Sequence, residues 1–210
     1  MKRIVFVDNS QKNLEKMLRS VMNVIVKNKM TLGKETVEIS FLHVRWALDS
    51  DDEYKQSYNK TRQYLIDQYK NQICNVVSLD EYHFCDLQGV EDEEKYAISV
   101  KQWACELTES VRGILREAQE YLILLDVSLY HEPELEGLVF AKNANGTLSR
   151  IVRNSFMPRC IAYTQYVNSV IQHNWEQETS EVPLERDVHF DGKINKRLQA
   201  GIVSHLFTKK

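Results

Sequence analysis

The sequence predicts an α/β protein: a five-stranded, parallel, doubly wound sheet of the flavodoxin-like type, ordered 2-1-3-4-5. Three observations predict it. Leu122 to Leu125 are four consecutive aliphatics followed directly by Asp126, the pattern of a central parallel strand covered on both faces. Ile4-Val-Phe-Val followed by Asp8 repeats that pattern near the amino terminus. Between the apolar runs lie stretches with apolar residues at helical spacing, so strands and helices alternate. An acid at the carboxyl end of a buried strand is costly to bury alone. Parallel sheets hold their ligands at that edge. Asp8 and Asp126 are therefore expected to share one pocket, where they repel each other unless a proton or cation lies between them.

Length and composition are consistent with this class. A chain of 210 residues holds one large domain, or one domain with a sizeable insertion. An apolar content of 43%, with only seven Gly and three Pro, supports a packed core and argues against disorder. The net charge of -3 gives no global reason to expect a nucleic-acid or membrane partner. Cys74, Cys85, Cys105 and Cys160 are widely spaced, which suggests buried reduced thiols rather than a metal site or a disulfide framework. The chain enters a strand at once and contains no apolar run of about 20 residues, so a cytoplasmic location is expected.

In order, Lys2 to Asp8 forms the first strand, and Ser10 is a candidate cap for the helix that follows. From Gln11 to Lys29, Leu14, Met17, Leu18, Val21, Val24 and Ile25 fall on one helical face. Thr31 to Lys34 breaks that helix, and Val37 to Val44 is the second strand. This makes a βαβ unit with a right-handed crossover. Residues 45–120 stand where a single crossover helix is usual. They read as a mainly helical insertion, serving as a cap or a partner-binding lobe. Within them, Asp51 to Asn75 is charged and tyrosine-rich, Val76 to Leu87 is mixed with room for a short strand, and Ala97 to Ala118 is an amphipathic helix.

After the Leu122–Leu125 strand, a helix begins near Leu138 and is interrupted at Asn143 to Gly146. Arg159 to Thr164 is the fourth strand, announced by Pro158. Val167 to Trp175 is a short helix, and Val188 to Phe190 a short fifth strand. Ile194 to Phe207 closes the chain as a helix, with Ile194, Leu198, Ile202 and Leu206 on one face. One domain spanning 1–210 is the expected organisation.

The strand ends resemble those of the receiver domain of bacterial two-component response regulators. Val7-Asp8-Asn9 closes strand one and Leu124-Leu-Asp126 closes strand three. Glu136-Gly-Leu138 follows in the next loop, Ala162-Tyr-Thr164 closes strand four, and Phe190-Asp-Gly-Lys193 closes strand five. The resemblance covers residues 1–44 and 120–210. It implies that Asp126 accepts a phosphoryl group and that Asp8, Asn9 and Asp126 hold Mg2+. It also implies that Thr164 and Lys193 contact the phosphoryl oxygens and that Phe190 is the aromatic that moves with the switch. Three departures stand out. Asn9 replaces the second acid after strand one, the Pro of the loop after Asp126 is displaced to Pro133, and Ile194 follows Lys193 where the family usually has Pro. Losing one carboxylate weakens a Mg2+ site, because Mg2+ favours hard charged oxygens.

The bland reading of Asp8 and Asp126 is that each caps a helix or accepts backbone amides. Their matching positions favour a functional pair. Thr164 at a strand end and the Asp-Gly-Lys193 turn are ordinary on their own; their value depends on Asp126. The six His residues show no metal-ligand spacing.

The expected function is thus a signalling module rather than an enzyme. Its partners would be a histidine kinase or a downstream effector, met through 45–120, and a second copy of the chain. The alternative is a metal-dependent hydrolase or nuclease of the PIN-like kind. Such chemistry needs more acids, which only Glu132, Glu134, Glu136 or Asp191 could add to Asp8 and Asp126. None of these four ends an apolar strand.

Overall fold

The structure, a computed structural model, describes residues 1–10, 18–19, 21–28, 36–46, 56, 58–60, 63–64, 67, 77–88, 93–129, 139–163, 188–189 and 202–204. Among the described residues its frame is one parallel sheet of six strands: β1 (Lys2–Asp8), β2 (Val37–Arg45), β3 (Val77–Asp86), β4 (Glu120–Asp126), β5 (Cys160–Tyr163) and β6 (Val188–His189). The spatial order is β3-β2-β1-β4-β5-β6. The α/β class and parallel pairing agree with the sequence reading. The strand count and the order 2-1-3-4-5 do not: a sixth strand, β3, extends the sheet beyond β2.

The reason β3 was hard to read lies in its pairing. Ile39 pairs with Leu79, but Phe41 pairs with Tyr82, so a bulge sits between them. That extra residue resets the alternation, and Val77 and Leu79 face the same side as Tyr82 and Phe84. β3 is also an edge strand, covered less completely than its neighbours, so it tolerates Ser78, Asp80, His83 and Asp86. The bulge is held by side chains. Tyr58 Oη donates to the Asp80 carbonyl at 2.8 Å, and Ser40 Oγ donates to Asp80 Oδ2 at 2.9 Å.

Alternating residues feed two cores. Ile4, Phe6, Ile39, Phe41, Leu122 and Leu124 point to one face, where they meet Leu18, Val21, Val24 and Ile25 of the helical residues 18–19 and 21–28, together with Tyr58 and Ile202. Val5, Val7, Leu42, Val44, Ile123 and Leu125 point to the other. That second face is covered by helices α1 (Glu93–Leu115) and α2 (Val139–Phe156). Helices on both faces make the sheet doubly wound. β1 and β4 are buried on both sides, which is why each reads as an unbroken apolar run. Helix α1 starts earlier than the expected Ala97, and α2 runs without a break through Asn143 to Gly146. Tertiary packing by Leu148, Val152 and Phe156 outweighs the roughly 1 kcal/mol cost of a helical glycine.

The order places a reversal between β1 and β4. From β1 the chain winds outward through β2 to β3, then crosses back by α1 to β4 on the opposite side. This is the point where doubly wound sheets open a crevice at their carboxyl edge. The same order is used by dinucleotide-binding sheets. Here, however, the segment after β1, Asn9-Ser-Gln-Lys-Asn13, contains no glycine to admit a pyrophosphate, and a fold alone carries no function.

Candidate functional site

Asp8 ends β1 and Asp126 ends β4, so both lie at the reversal point. Val7 pairs with Leu125, and one further step brings Asp8 level with Asp126. Both side chains share the parity of Ile4, Phe6, Leu122 and Leu124, and therefore the same face of the sheet. The rung continues in both directions. Asp8 pairs with His43 of β2, Asp126 with Tyr163 of β5, and Tyr163 with His189 of β6. The parallel register thus lines up His43, Asp8, Asp126 and Tyr163 along one edge, all of them buried.

The two acids have matching local structure. Asp8 Oδ1 accepts the Ser10 amide at 2.8 Å, and Asp126 Oδ1 accepts the Ser128 amide at 3.2 Å. Each carboxylate therefore turns the chain out of its strand by bonding the amide two residues on. This is the bland role, and one oxygen of each acid fulfils it. Asp8 Oδ2 has a different partner: Tyr163 Oη donates to it at 2.5 Å, a short charge-assisted bond. Around them, Ser149 Oγ of α2 lies 3.0 Å from the Asp126 carbonyl and 2.9 Å from that of Val127. Asn9 Nδ2 and Trp46 Nε1 both donate to the Leu129 carbonyl, at 3.3 and 2.5 Å. His43 Nε2 lies 3.1 Å from the Asn9 carbonyl, and Tyr82 Oη lies 2.9 Å from His43 Nδ1.

Burial raises the Asp126 carboxyl well above the ordinary carboxylate range, and the Asp8 charge raises it further. The Ser128 and Val127 amides oppose the shift. Burial also pushes the Tyr163 phenol well above its usual value, with the Asp8 and Asp126 charges adding to it. The pocket thus resists two negative charges, and a proton or a cation relieves the conflict. Asp8, Asn9 and Asp126 offer hard oxygens, which fit Mg2+ in kind, although two charges are a short set. No group of three or more His, Cys, Asp or Glu able to hold a metal is present among the described residues.

The sequence-predicted site is thus placed in part. Asp8, Asn9 and Asp126 come together at one edge. Asn9 turns its amide nitrogen to the backbone of the β4 loop. Thr164, Phe190 and Lys193 lie outside the described residues, as do Glu132, Glu134, Glu136 and Asp191. His43 and Tyr163 were not singled out from the sequence. No single strand marked them, because their place in the row depends on register across the sheet. Of the cysteines, Cys85 and Cys160 are buried free thiols, whereas Cys105 is exposed. No helix among the described residues is long and apolar enough to cross a membrane. No family model, curated protein or solved structure matches this chain.

Proposed function

We propose that this protein is a receiver-like signalling module in which Asp126 accepts a phosphoryl group and the change is read by a protein partner. The observation that carries the reading is the pair of buried carboxylates, level with each other on neighbouring strands at the chain reversal. In this reading Asp8, Asn9 and Asp126 hold Mg2+, which offsets the charge brought together when a phosphoryl donor approaches. A carboxylate oxygen of Asp126 attacks phosphorus and forms an acyl phosphate. The bond from phosphorus to the donor's leaving group breaks, and that group departs with the electron pair. Thr164 and Lys193 would contact the phosphoryl oxygens, and Phe190 would move with the switch. Output passes through protein contacts, with residues 45–120 as the docking surface.

The test is treatment with Mg2+ and beryllofluoride, or with a small acyl phosphate, followed by amide chemical shifts and intact mass. Wild type should respond and Asp126→Asn should not. Equal responses in the two would remove Asp126 from the role. Multiple turnover of a phosphate ester or nucleic acid with Mg2+ would instead favour the PIN-like hydrolase reading. That reading uses the same two acids and needs a third from Glu132, Glu134, Glu136 or Asp191.

A further inference from the structure

We draw no further inference here: the strongest candidate, the buried Ser128 hydroxyl in the turn after β4, which has no hydrogen-bond partner, belongs to the Asp8 and Asp126 site already described.

Discussion

Replacing Asp126 by Asn should stabilise this protein at alkaline pH and have little effect at acid pH. The two carboxylates face each other across one strand spacing, roughly 5 Å. At an effective dielectric constant of about 20, two unit charges at that distance repel by about 3 kcal/mol. The folded-state carboxyl of Asp126 lies well above its ordinary value, through burial and then through the Asp8 charge. Folding therefore takes up a proton at pH values between the unfolded and folded values. The contribution of Asp126 to stability is fully present below the unfolded value and is lost as pH rises through the folded one. Asn removes the charge and keeps the oxygen that accepts the Ser128 amide.

In the absence of divalent cation, Asp126→Asn should thus gain up to about 3 kcal/mol over wild type near pH 8.5. For a chain of 210 residues this amounts to about 7 °C in melting temperature. The gain should shrink as pH falls and wild-type Asp126 takes up its proton. The assay is thermal unfolding followed by circular dichroism at half-unit steps of pH, in chelator. Subtracting the two curves cancels the groups that titrate independently of Asp126. A difference that is flat with pH, or an Asn variant less stable than wild type at pH 8.5, would refute the coupling of the two acids.

Four further outcomes follow from the same geometry. Tyr163→Phe in chelator should lose about 2–3 kcal/mol, the value of a hydrogen bond to a charged group, read as a melting temperature lower by about 5–7 °C. Asn9→Asp places a carboxylate against the Leu129 carbonyl and beside Asp8; it should melt lower in chelator and gain more than wild type from millimolar Mg2+. Ser149→Ala removes the hydroxyl that ties α2 to the end of β4 and should cost about 1 kcal/mol in urea unfolding. Leu107→Ala empties a fully buried position of α1 against the sheet and should cost about 2–5 kcal/mol by the same measurement.

Elements of uniform burial are legible in the order of the residues alone. β1 and β4 are apolar on both faces because both faces are covered, and a run such as Leu122 to Leu125 has no other reading in a chain that alternates with amphipathic helices. Leu18, Val21, Val24 and Ile25 were legible for the same reason, since one helical face meets one core. Asp8 and Asp126 stood out because an acid ending such a run contradicts its surroundings. Whatever depends on pairing across the sheet emerges only once the strands are assembled. The bulge between Ile39 and Phe41 shifts the parity of β3, so no period in Val77–Asp86 reveals that it joins the sheet or that it lies next to β2. His43 and Tyr163 are ordinary strand residues in the sequence. They become part of a site only when four parallel strands align on one rung, because register is a property of neighbouring strands and is written in no single one of them.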